Sequence, residues 1–186
     1  MLTDFQVRKF TRMFNALDIN GDGALDAQDV ELVVARHATE SAGRAEAAHL
    51  ATLEQAYRAW YGGIIQMADR NQDGKVTLEE FLGFQEVLMK DAALYEQIIG
   101  AITQMTCTIL DHDGDGKNDT DDYVQFSRVL RIGEQGARER WAALSAHRSG
   151  LMGVDDIRAV LEDFFQGSDE RSPATNFLGA LSLQHR

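Results

Sequence analysis

The sequence predicts an all-α fold: four helix–loop–helix units in two pairs, forming a compact bundle with short β-bridges between paired loops. Three observations predict it. A twelve-residue pattern of oxygen-bearing side chains around a central glycine occurs three times, at 18–29, 69–80 and 111–122. Each copy is flanked by segments whose apolar residues recur at helical spacing. A further stretch, 145–156, keeps the flanking helices, the glycine and an apolar slot but loses most of the acids.

The helices can be justified in order. Thr3 and Gln6 form a capping box, and the face Phe10, Met13, Phe14 and Leu17 runs straight into the first loop. The exiting segment carries Val30, Val33 and Val34, and the pattern breaks at a linker, Ser41-Ala42-Gly43. The second entering helix is long, with Leu50, Leu53, Tyr57, Trp60, Tyr61, Ile64 and Ile65 on one broad face. Gly62-Gly63 interrupts it, inviting a bend or close packing. Next come Phe81, Leu82, Phe84 and Leu88, then Leu94, Ile98, Ile102, Met105 and Ile109, then Tyr123, Phe126 and Leu130. Trp141 and Leu144 precede the last loop; Ile157, Leu161 and Phe164 follow it. This organisation divides the chain into residues 1–90, 91–167 and a tail, 168–186, that packs on the core. The Phe and Met stripes read first as core and second as an adaptable groove. Cys107 reads as a packed thiol.

The second loop is the most complete. Asp69, Asn71 and Asp73 offer side-chain oxygens, Lys75 its backbone carbonyl, Thr77 an oxygen directly or through water, and Glu80 both carboxylate oxygens. Gly74 permits the positive φ of a sharp turn, and Val76 fills the slot for a β-bridge to a partner loop. Calcium is a hard cation that takes about six to eight oxygens at ~2.3–2.6 Å, so its binding site must curl around it, and this is the EF-hand pattern. Loop one supplies Asp18, Asn20, Asp22, the Ala24 carbonyl, Asp26 and Asp29; loop three supplies Asp111, Asp113, Asp115, the Lys117 carbonyl, Asp119 and Asp122. In loop four, Ser145, His147 and Ser149 stand at the first, third and fifth positions and Gly153 at the ninth, with Met152 still in the apolar slot. That loop is expected to be metal-free and to pair with the third, leaving about three cation sites.

Two details set the loops apart. Asp29 and Asp122 are one methylene shorter than the Glu of loop two, which lowers coordination number and favours Mg²⁺ at loops one and three. Loop two is then the most calcium-selective; the alternative is that the exiting helix moves inward and restores both oxygens. Asn118 is polar where Leu25, Val76 and Met152 are apolar, which weakens the bridge to loop four unless its amide finds partners. With the densest charge, loop three is expected to be poorly ordered without metal.

The net charge of −12, concentrated in the loops, and the lack of a basic stripe argue against nucleic acid. Hydrophobic content of 44% indicates a globular chain, and no segment reaches membrane-spanning length. One cysteine allows no intramolecular disulfide, the N-terminus has no apolar leader, and Leu2 excludes N-myristoylation. These point to the cytoplasm. His37, His49, His112, His147 and His185 are scattered without zinc spacing, His112 falls at a non-ligand loop position, and no nucleophile motif occurs, so an enzyme is not expected.

The unequal spacing, the silent fourth hand and the tail Gly167-Ser168-Asp169…Pro173-Ala174-Thr175-Asn176-Phe177-Leu178-Gly179-Ala180-Leu181 resemble the sarcoplasmic calcium-binding proteins and their calerythrin-like bacterial relatives. Thr175 departs from the glycine usual there. The resemblance implies a bundle that keeps its apolar face covered, with Phe177, Leu178 and Leu181 docked in it, and a role as a Ca²⁺ and Mg²⁺ buffer or signal modulator. Its rivals are a sensor that opens a groove to a protein target, and a luciferin-binding or photoprotein-like bundle whose cavity Tyr57, Trp60 and Trp141 would line. Dockerins share Asp-terminated loops but lack the long entering helices.

Overall fold

The computed structural model of the chain describes residues 1–40 and 47–180. The expected linker at Ser41-Ala42-Gly43, together with Leu181 and His185, lies outside the described residues. The elements run α1 (Asp4–Leu17), β1 (Ala24–Leu25), α2 (Ala27–Glu40), α3 (Ala47–Ala68), β2 (Val76–Thr77), α4 (Leu78–Leu88), α5 (Ala92–Leu110), α6 (Thr120–Val129), α7 (Ala137–Leu144), α8 (Val154–Gln166) and a 3-10 turn at Pro173–Asn176.

Local chemistry starts these helices where the sequence says it should. Thr3 and Gln6 cap α1 reciprocally. At α4 and α6 the boxes are Thr77 with Glu80 and Asp119 with Asp122, so the ninth and twelfth loop positions are also the N-cap and third helical residue. The last third of each loop is therefore a helix start, and its carboxylate satisfies an amide that would otherwise have no partner.

The loops pair as expected. β1 and β2 are antiparallel, with Ala24 opposite Thr77 and Leu25 opposite Val76. Asn118 bridges Met152, whose N–H donates to the Asn118 carbonyl at 3.0 Å. The Asn118 side chain donates its amide to Met152 O at 3.2 Å, so the polar residue reinforces the bridge rather than weakening it.

Gly62-Gly63 does not interrupt α3, which is continuous over its 22 residues. Nor does it serve close packing: a Cβ on Gly62 would meet nothing within 4 Å, and one on Gly63 only the Met67 methyl at 3.8 Å. Glycine costs about 1 kcal/mol in a helix; the buried Leu53, Tyr57, Trp60, Tyr61 and Ile64 on the opposite stripe outweigh it at ~1.5–3 kcal/mol each.

Both pairs share one apolar core, in which α5 lies against α3 and α8 and α2 lies against α6. Phe10, Leu17, Tyr57, Tyr61, Phe81, Tyr123, Trp141 and Ile157 are completely buried. The tail enters this core through Phe177 and Leu178. The Phe177 ring packs on Tyr123 and Phe126 at 5.9 and 5.8 Å, and Tyr123 donates its hydroxyl to Phe177 O at 2.7 Å. Gly179 then turns with φ +89°, where a Cβ would lie 2.5 Å from Ile132 O, so only glycine fits. Thr175 is accommodated in the 3-10 turn, its hydroxyl donating to Asp169 O at 3.3 Å. Lys9 is buried too, donating to Gly167 O at 2.8 Å and capping the Phe5 ring.

Candidate metal centres

Loops one, two and three fold on one plan. The first aspartate accepts amides from the fourth and sixth positions: Asp18 from Gly21 and Gly23 (2.8 and 2.9 Å), Asp69 from Gln72 and Gly74 (2.7 and 2.9 Å), Asp111 from Gly114 and Gly116 (3.0 and 3.2 Å). The third position accepts from the fifth amide and the fifth from the seventh: in loop two, Asp73 N to Asn71 at 2.9 Å and Lys75 N to Asp73 at 2.9 Å. The sixth-position glycines carry φ of +89°, +83° and +81°. These bonds curl the chain so that the first, third and fifth side chains converge. In loop three one carboxylate oxygen from each of Asp111, Asp113 and Asp115 lies within 4.8 Å of the other two. A concave set of hard oxygens, with the backbone amides already bonded, suits a hard dication such as Ca²⁺ or Mg²⁺.

The twelfth residues reach back across their loops. Asp29 accepts from Ile19 N at 2.8 Å, Asn20 N at 3.2 Å and Asp26 N at 3.0 Å. Asp122 does the same to His112 N and Asp119 N, both at 2.9 Å. Glu80 accepts from Thr77 N at 3.0 Å and from its hydroxyl at 2.9 Å. Asp29 and Asp122 are buried, and burial raises both, Asp122 to about 7. Glu80 is more open, and its bonds to Thr77 hold it below the usual range. Asp26 and Thr77 stand at the ninth positions of their loops. Across the pair, the Lys75 ammonium lies 3.0 Å from Asp26 and 3.9 Å from Asp22 while its carbonyl belongs to loop two.

The EF-hand family profile matches residues 11–34 and 64–85, which contain the whole of loops one and two. The sequence is 32% identical over 178 residues to the sarcoplasmic calcium-binding protein alpha-B and -A chains of Penaeus sp., covering 89% of this chain and 91% of that protein. The chain belongs to the sarcoplasmic calcium-binding protein family. Calerythrin of Saccharopolyspora erythraea is 25% identical over 170 residues, covering 90% of this chain and 96% of its own. In fold, the chain is similar to the coelenterazine-binding protein of Renilla muelleri in its calcium-loaded apo form, with a TM-score of 0.77 at 18% identity over 96% of this chain and 99% of that one.

Within this sarcoplasmic calcium-binding bundle the fourth hand is built differently. Its loop closes by backbone bonds, Arg148 N to Ser145 O at 2.8 Å and Leu151 N to Arg148 O at 3.2 Å. Ser145 is buried and donates to Trp141 O, so it is turned away from any cation. Asp156 is ion-paired with Arg148 and accepts from Gly153 N at 3.1 Å. A guanidinium thus sits where a cation would be drawn, and the donor set does not fit a metal. Sequence reading missed Arg148; the available signal was a cationic side chain inside a loop that had lost its acids.

Three of the five histidines, His37, His49 and His112, come together in space. The His37 and His112 rings meet at 4.7 Å with their planes tilted by 37°, and the His49 Nε2–H donates to Asp111 O at 2.7 Å. His37 also meets the Tyr57 hydroxyl at 3.4 Å. Burial, with His112 and His49 nearby, lowers His37 to about 3, a neutral core histidine. No three-histidine metal cluster occurs among the described residues. Cys107 is partly buried and its thiol is pushed up to about 11, away from reactive thiolate chemistry.

Proposed function

We propose that this calcium-binding protein is a cytoplasmic buffer of Ca²⁺ and Mg²⁺, not an enzyme, holding three cations. The ligands are Asp18, Asn20, Asp22, Ala24, Asp26 and Asp29; Asp69, Asn71, Asp73, Lys75, Thr77 and Glu80; and Asp111, Asp113, Asp115, Lys117, Asp119 and Asp122. Residues 1–90 form one pair of hands and 91–167 the other, with 168–186 as their clasp. The observation that carries the buffer reading is the tail: Phe177 and Leu178 are locked into a core shared by both pairs, so opening one pair would break the other. Loop two is the most calcium-selective site, since Glu80 has reach to spare. The buried Asp29 and Asp122 offer shorter carboxylates already engaged by amides, which suits the smaller shell of Mg²⁺.

Calorimetry in millimolar Mg²⁺, run beside hydrophobic-dye fluorescence, tests this. The buffer reading expects about three ions bound and no calcium-dependent rise in dye signal; a large rise would transfer the protein to the sensors.

A second reading is favoured by one feature. A groove of about 300 Å³ between α3, α4 and α5 is lined by Trp60, Ile64, Phe84, Gln85, Ile102 and Met105. Trp60 Nε1 and Gln85 Oε1 are buried there without a hydrogen-bond partner among the described residues. An apolar groove with a spare donor and a spare acceptor buried behind it, within reach of a shift of either side chain, suits a small heteroaromatic ligand such as a luciferin. Quenching of tryptophan fluorescence by coelenterazine, lost in Gln85→Leu, would support it; no quenching at micromolar ligand would remove it.

A further inference from the structure

We propose that His49 is a positioning residue for the third metal loop, supplied by a helix of the other pair. It rests on loop three holding a cation, and two independent contacts carry it. The first is the hydrogen bond from Nε2 to the carbonyl of Asp111, 2.7 Å. A carbonyl only accepts, so Nε2 carries the proton, and the bond fixes the residue that opens the loop and aims its first carboxylate. The second is shape. The His49 ring lies against Gly114, where a Cβ would come within 3.0 Å of Cγ, 3.1 Å of Nδ1 and 3.3 Å of Cδ2.

The left-handed backbone at this position tolerates a side chain, but at Gly114 the ring leaves no room for one. All three fourth positions are left-handed, at φ +76° for Gly21, 60° for Gln72 and +80° for Gly114. Loop two carries a full side chain there, and a Cβ on Gly21 would meet nothing within 4 Å. Neither loop one nor loop two has a histidine recorded against it from another helix among the described residues. Loop three also has the thinner lateral support: a single bridge at Asn118 and Met152, against the two-residue ladder that joins loops one and two. His49 supplies the missing brace from α3. The first pair therefore presets the geometry of a site in the second, as outer-shell partners do for metal ligands generally.

The test uses the full chain and follows Ca²⁺ binding loop by loop through the amide signals of Gly23, Gly74 and Gly116. His49→Ala is expected to weaken loop three about 10-fold, the lower end of outer-shell effects, and to leave loops one and two within a factor of about two. His49→Gln, which returns an N–H donor at similar reach, is expected to recover most of the loss. Gly114→Asn, which displaces the ring, is expected to behave like His49→Ala, whereas Gly21→Asn leaves loop one unchanged. Amide exchange at Gly114 and Gly116 in the metal-free chain gives a readout that needs no bound ion: it should speed up in His49→Ala and Gly114→Asn. Unchanged loop-three affinity and exchange in His49→Ala, or equal losses at all three loops, would overturn the proposal. If wild-type loop three takes no Ca²⁺, the metal reading fails, while the exchange data still decide the role of His49. Should His49→Ala not fold, the contrast of Gly114→Asn with Gly21→Asn carries the decision.

Discussion

Single residues in this chain do two jobs at once, and the second is usually the one that sequence hides. Lys75 was expected only as a carbonyl donor, yet its ammonium sits between Asp22 and Asp26 of the neighbouring loop. A cation entering loop one must displace or tolerate it. Lys75→Gln is therefore expected to raise loop-one Ca²⁺ affinity severalfold and to steepen its loss with added salt, because without the ammonium the loop is more negative and it is this attraction that salt screens. Site-resolved titration at about 0.05 and 0.5 M salt would read both effects, and an affinity that falls would refute it. His37 is similar in kind. Its pKa is about 3 in the folded chain against 6.5 unfolded, so below pH 6.5 the unfolded chain binds a proton that the folded one does not. Stability is complete above pH 6.5 and is lost as pH falls toward 3, by on the order of 3 kcal/mol at about pH 4. His37→Gln should lose less stability than wild type over that interval in denaturant titrations; parallel curves would contradict this. The histidine cluster could not be read from spacing, because it arises from how separate helices and a loop meet, whereas Arg148 against Asp156 is a pairing inside one loop whose cation stood in plain view.

At the level of elements, the sequence was far more legible. The loops announce themselves because cation chemistry fixes residue type at fixed offsets, and the slot positions mark both β-bridges, with Asn118 holding the second through its own amide. The tail residues Phe177 and Leu178 were also placed correctly. Gly62-Gly63 misled, since helix propensity is weak beside the apolar stripe on the far side of α3. The overlap of capping box and ligand set yields a clean separation of roles. Glu80→Gln keeps a third-residue amide for the α4 cap but removes the charge and the two-oxygen grip. It is expected to shift the melting temperature of the metal-free protein little while deleting one calorimetric site. Loss of the metal-free fold would mean that Glu80 serves the cap before the ion.

The molecule as a whole is held by its tail. Phe177 is wedged between Tyr123 and Phe126, and its carbonyl takes the Tyr123 hydroxyl. Phe177→Ala should cost about 3–5 kcal/mol and, unlike wild type, should bind hydrophobic dye in the presence of calcium. A variant with unchanged stability and no dye signal would show that the tail is an ornament rather than a clasp.

The Arg148–Asp156 pair in the fourth hand has a consequence for how the protein fills. The arginine is tethered to the same loop, so it competes for Asp156 at every calcium concentration. The fourth hand's partner, loop three, always faces a neighbour in the same state and should titrate as a lone site with a Hill slope of one. Loops one and two face each other across a ladder whose two sides both change, so any cooperative step in filling belongs to the first pair. One chain would then respond to rising calcium with two differently shaped curves.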